Sequence, residues 1–91
     1  MKNIETIVNA GNTEVPCYLA IESLGFKFSI INEKTDQELW VAESLNLRIV
    51  ASNQLEVLGL IYMRKLRGND WNASDSEIDS YLSKYYPEAL E

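Results

Sequence analysis

The 91-residue chain has no histidine and a single cysteine, Cys17. Without imidazole it lacks the commonest acid/base group near neutral pH and the commonest metal ligand. Ser–His and Cys–His nucleophiles are excluded, and a zinc site has too few ligands to draw on. A lone thiol closes no internal disulfide, which suits a reducing compartment. The four glycines are dispersed, so there is no phosphate-cradling loop and no dinucleotide fingerprint. No run reaches the ~18–20 apolar residues of a membrane span, and Met1–Glu5 carries no apolar signal-peptide core. A cytoplasmic protein without cofactor or metal is expected. Asn72-Ala73-Ser74 matches the glycosylation tripeptide, which has no meaning without an export signal.

Cations are scarce too: 8 Lys+Arg stand against 14 Asp+Glu, for a net charge of −6. Nucleic acid and anionic membrane both reward positive charge, so neither is an expected partner. A basic protein surface is, because opposite fields steer encounter. The same charge also keeps a small domain soluble. It is uneven along the chain, since residues 69–91 hold six acids against Lys84 alone.

What is present describes one globular domain over residues 1–91, with 46% hydrophobic and 24% charged residues. In residues 1–14, Ile4, Ile7 and Val8 have helical spacing, but Asn9-Ala10-Gly11-Asn12 stops any element; a short helix or strand is expected there. Residues 15–51 read as a helix followed by a sheet. Pro16–Leu24 is the helix, with Thr13 as its cap and Gly25 as its stop, although Cys17, Leu19 and Ile21 also alternate as in a strand. Phe26–Asn32, Leu39–Glu43 and Leu45–Ala51 alternate at period 2 and are joined by short polar connections, which predicts an antiparallel meander. Residues 52–86 read as a helix pair. Asn53-Gln54-Leu55-Glu56 has capping-box spacing, Arg64, Lys65 and Arg67 offset the dipole of the last turn, and Gly68 ends it. Gly59 sits mid-helix, which a close approach of helix to sheet would explain. Ser74-Asp75-Ser76-Glu77 is a full capping box, followed by an apolar stripe of Ile78, Tyr81, Leu82 and Tyr85, and Pro87 ends the helix. The expected fold is α+β: an N-terminal helix, a three-stranded antiparallel meander, then two C-terminal helices packed on one sheet face.

Asp70-Trp71-Asn72-Ala73-Ser74-Asp75 has a partial likeness to a calcium loop, but the glycine at the sixth position and the acid at the twelfth are missing. Asp75, Glu77 and Asp79 form an acidic group set opposite the apolar stripe; a solvated face suiting the helix N-terminus is expected, not acid/base work. Arg64, Lys65 and Arg67 have the charge to grip a phosphate or a carboxylate, but dipole compensation with pairing to nearby Asp70 or Glu56 is the expected role. Two tryptophans mark candidate interface positions. Trp40 is exposed beside Ile31 and Val50 if the helices cover the Leu39 face, and lies in the core if the strand parity is reversed. Trp71 plugs the helix pair or anchors an interface. The candidate partner-binding residues are therefore Trp40, Asp70, Trp71, Asp75 and Asp79.

In size, acidity and lack of catalytic groups the chain is similar to small bacterial immunity proteins, which block toxins by binding them. The likeness is one of kind and not of motif. It implies a non-enzymatic module that neutralises a basic protein. Two alternatives stand beside it. One is a structural domain that forms a homodimer through an open edge strand. The other is a small enzyme built on a carboxylate with Arg64, Arg67 or Tyr62.

Overall fold

The computed structural model describes residues 3–90. Met1 and Lys2, at the head of the ambiguous N-terminal stretch, and Glu91, counted among the terminal acids, lie outside it. Residues 3–9 take neither of the regular forms expected there, and a 3₁₀ turn follows at Gly11–Thr13. The elements are then α1 (Glu14–Ser23), β1 (Lys27–Ile31), β2 (Leu39–Glu43), β3 (Arg48–Ala51), α2 (Gln54–Arg67) and α3 (Asp75–Tyr85), with a closing 3₁₀ turn at Pro87–Leu90. The fold is α+β, and the three strands form a meander in the order β1-β2-β3.

Local chemistry sets the boundaries. Thr13 precedes α1 but does not cap it: its hydroxyl donates back to the Ala10 carbonyl at 2.8 Å. The reason is its backbone, already helical at φ −91° as the end of the 3₁₀ turn, whereas a capping residue needs an extended one. Gly25 follows α1 at φ +90°, a conformation open to glycine. Asn53 caps α2 by accepting the Glu56 N–H at 2.8 Å. The Glu56 carboxylate, however, turns to Ser52, whose N–H and hydroxyl donate to it at 3.2 and 2.6 Å. The capping box is thus spread over two residues. β3 begins at Arg48 and not at Leu45, because Ser44 N–H donates to the Leu47 carbonyl in a tight turn. Leu45 at its tip is fully exposed.

The register decides which sheet face is covered. Phe28, Ala42 and Ile49 lie abreast, as do Ile30, Trp40 and Ala51. On this face Ile21 of α1 meets Ala42 and Ile49 of the sheet and Val57 and Ile61 of α2, all buried. Trp40 packs against that cluster, so the parity is the one that turns it toward the core. The far face carries Lys27, Glu43 and Arg48 in one cross-strand row, alternating in charge, and Ser29, Val41 and Val50 in the next. The helix that shares the covered face with α2 is α1; α3 packs chiefly on the 3₁₀ turn that follows it and buries none of its residues. The two C-terminal helices therefore do not form one layer.

Gly59 departs from its expected role. It is exposed, and a methyl group built on it meets nothing within 4 Å. No close approach to the sheet requires it. Within this chain it only weakens α2, so Gly59→Ala is expected to stabilise the monomeric fold by about 0.8–1 kcal/mol. Urea unfolding at low protein concentration measures this, and a loss of stability would contradict it.

Candidate interaction surface

The C-terminal arm starts at Gly68, which ends α2 at φ +80°. Arg67, the last residue of α2, then organises the linker. Its guanidinium donates to the Trp71 carbonyl at 2.9 Å and the Asn72 carbonyl at 3.3 Å, and pairs with the Glu77 carboxylate at 3.3 Å. Arg64 adds a hydrogen bond to the Asn69 side chain. The pair Arg67–Glu77 is exposed and contributes little stability by itself. Its effect is directional: the linker is held in one path, and α3 leaves the body of the domain along it.

Ser74 caps α3 with the full reciprocal box expected from its sequence. Glu77 N–H donates to the Ser74 hydroxyl at 3.2 Å, and Ser74 N–H donates to the Glu77 carboxylate at 2.8 Å. The Ser74 N–H first, then the charge of Arg67, hold the Glu77 carboxyl below its ordinary range. Hydrogen bonds from the Ser52 hydroxyl, then from its N–H, do the same for Glu56. Tyr18 is pushed the other way because its hydroxyl donates to the Glu22 carboxylate at 2.8 Å.

The stripe on α3 is laid bare. Ile78 is 43% exposed, Tyr81 54% and Tyr85 58%. Tyr81 stacks obliquely on Tyr85 at 5.3 Å and on Tyr86 at 6.0 Å, and Lys84 lies over the Tyr85 ring at 5.5 Å. At about 100° per residue, Ser76, Ser80 and Ser83 stand opposite this stripe. Asp75 and Asp79 run along one of its borders, with Glu77 and Lys84 along the other. The acids thus frame the apolar face, which corrects the expectation that they lie opposite it. Tyr81 and Tyr85 belong to the stripe expected from the sequence; Tyr86, which extends the cluster, stands one residue past α3 and outside that period.

The candidate residues fall into two groups. Asp70, Trp71, Asp75 and Asp79 are exposed and lie within the linker and first two turns of the arm. Trp40 is on the central strand, half-buried, its ring 5.2 Å from Phe28, which in turn stacks on Tyr18 at 5.7 Å. Trp71 is 42% exposed and closes one end of a hollow of about 290 Å³ between α2 and β3. Apolar Leu47, Ile49, Leu60 and Met63 line this hollow, with Arg48 and Arg64 at its rim. A second hollow, of about 280 Å³, lies between the first 3₁₀ turn and the start of α2 and includes Glu14. Arg64, Arg67 and Tyr62 do not line it, so the residues named for a carboxylate enzyme are not assembled there. Among the described residues, no three acidic or cysteine side chains converge on a metal-sized space.

Comparison with protein-family models, with curated proteins and with solved structures finds no match for this chain.

Proposed function

We propose that this chain is a non-enzymatic interaction module that binds, and in its sharpest form neutralises, a basic partner protein such as a toxin. The observation that supports it is the arm: a capped helix directed outward by Arg67, bearing an exposed tyrosine stripe framed by acids. Tyrosine and tryptophan concentrate binding energy where they are desolvated at the centre of an interface. A frame of carboxylates supplies steering and register toward cations. Asp70, Trp71, Asp75 and Asp79 are the polar and aromatic contacts of this surface. Trp40, half-buried against the core cluster, is left out of this surface.

The test is affinity capture from native lysate, with the wild type beside an Asp70→Asn/Asp75→Asn/Asp79→Asn variant. A stoichiometric basic protein is expected on the wild type at low salt. It is expected to be lost on the variant and weakened at high salt, since exposed ion pairs are screened. Recovery of no stoichiometric partner at low salt counts against the reading. A self-associating module is the second reading, favoured by the amount of surface the single chain leaves exposed.

A further inference from the structure

The single chain is too open for its mass. It exposes 7575 Å², where a compact monomer of 10.4 kDa exposes about 5,400 Å². Its radius of gyration is 16.6 Å, against about 12 Å for a compact chain of this length. Exposed large apolar side chains occur along the whole chain, Val15, Leu19, Leu45 and Leu66 among them, with a group at each end. At the N-terminal end the group comprises Ile4, Ile7 and Val8; at the C-terminal end, the α3 stripe with Tyr86 and Leu90.

The same molecule carries an unfilled groove. Glu56, Gly59, Leu60, Met63 and Arg64 follow one face of α2 and look onto the outer edge of β3. That edge has no strand beyond it among the described residues. Open edges are commonly covered by a helix. The floor is apolar, and Arg48 and Arg64 stand at the rim near Trp71. Gly59, without reason inside the chain, opens the middle of this groove.

The geometry points to a second copy of this chain as the occupant: α3 of each protomer lies in the α2–β3 groove of the other, around a twofold axis. The inference rests on the reading of the arm as an interaction surface and takes its second, self-associating form, with a copy of this chain in place of a basic protein. Charge sets the direction. With α3 antiparallel to the partner's α2, the acidic first turn of α3 meets the partner's basic last turn and rim. Lys84 then falls toward the partner's Glu56. A parallel arrangement would bring acids to Glu56 instead. The chain's own α3 is kept from its own groove by the Arg67 grip on the linker. A reciprocal exchange is closed and isologous, so it stops at two copies. Restoring an ordinary area would bury about 2,000 Å² per chain; residues 3–9 hold part of that surplus, so the exchange of α3 accounts for less than this, which still leaves room for a specific interface of about 800 Å² per partner.

Two variants separate the halves of the contact. Gly59→Gln fills the groove at a position where a side chain meets nothing in the monomer. Tyr81→Ser/Tyr85→Ser removes two rings that the monomer leaves exposed. Neither should unfold the chain, and circular dichroism checks this. Sedimentation equilibrium of the wild type is expected to give a dimer. Each variant alone should dissociate with a Kd raised about tenfold or more. An equimolar mixture should recover heterodimer, because one intact groove then meets one intact stripe. A wild-type monomer at high concentration overturns the inference, and so does a dimer unaffected by both variants, which would mean pairing through a strand edge. Two variants that weaken the dimer without complementing each other overturn it as well. If the wild type is monomeric yet the acid-neutralised variant loses a captured basic protein, the arm reading stands and only the second copy falls. A dimer with no captured protein removes the foreign partner and leaves the second copy.

Discussion

Ile21→Ala is expected to remove about 3 kcal/mol of stability, within the 2–5 kcal/mol found for Ile truncation in cores. Ile21 is fully buried and is the residue through which α1 enters the central cluster, opposite Val57 and Ile61 of α2 and Ala42 and Ile49 of the sheet. The cluster is small, and the residues packed against it, such as Leu24, Phe26 and Leu47, are themselves only partly buried. Little material can therefore collapse into the space left by three carbons. A 91-residue domain has a total of only about 5–13 kcal/mol to lose from. The midpoint of thermal unfolding should fall by about 12–24 °C, taking 4–8 °C per kcal/mol for a domain of this size. Chemical denaturation at fixed, low protein concentration is the cleaner measurement, since association would add its own stabilisation. A loss below about 1 kcal/mol would mean that α1 is not fastened to the domain by this residue.

How far the fold was legible depends on how much each segment's residues discriminate. The two C-terminal helices announce themselves through Asn53 and Ser74, whose side chains answer a geometric need at one position only. β1 alternates Lys27, Ser29 against Phe26, Phe28, so its period is unambiguous. In β2 the run Leu39-Trp40-Val41-Ala42 is apolar on both faces, and nothing local says which face meets the helices. Parity was settled by the register with Phe28 and Ile49 and by burial against Ile21, which are long-range facts. α1 is apolar all round, with Val15 and Leu19 exposed and Cys17 and Ile21 buried, so its inward face was equally hidden. The stripe on α3 was read from its period, but a period says that something covers the face, not which molecule does. The acids bordering that stripe are visible in the sequence; the role of Arg67 in turning the stripe outward is not, because its partners Trp71, Asn72 and Glu77 lie in the following loop and helix and carry no spacing signal.

Trp40 and Trp71 provide the second large effect, through their contrast. Trp40→Ala is expected to cost about 3 kcal/mol, the low end of the range for a core tryptophan because the ring is only half-buried. The loss has two sources. The indole packs on the buried cluster, and it extends the row Tyr18–Phe28–Trp40, whose ring contacts add to plain area burial. Trp40 also sits on the central strand between Ile30 and Ala51, so its removal loosens both ladders at once. Trp71→Ala should change monomer stability by no more than about 1 kcal/mol, since the ring lies in a surface linker whose path is held by its carbonyl and not its side chain. Association should respond in the opposite order. Trp71 closes the apolar hollow beside Arg48 and Arg64, so its loss should weaken self-association or partner capture. Trp40→Ala, at a temperature where it remains folded, should leave both intact. Urea unfolding and sedimentation of the two variants, run in parallel, decide the matter: a Trp40 variant that keeps full stability but loses binding would return that residue to the surface and reverse the assignment of the sheet's two faces.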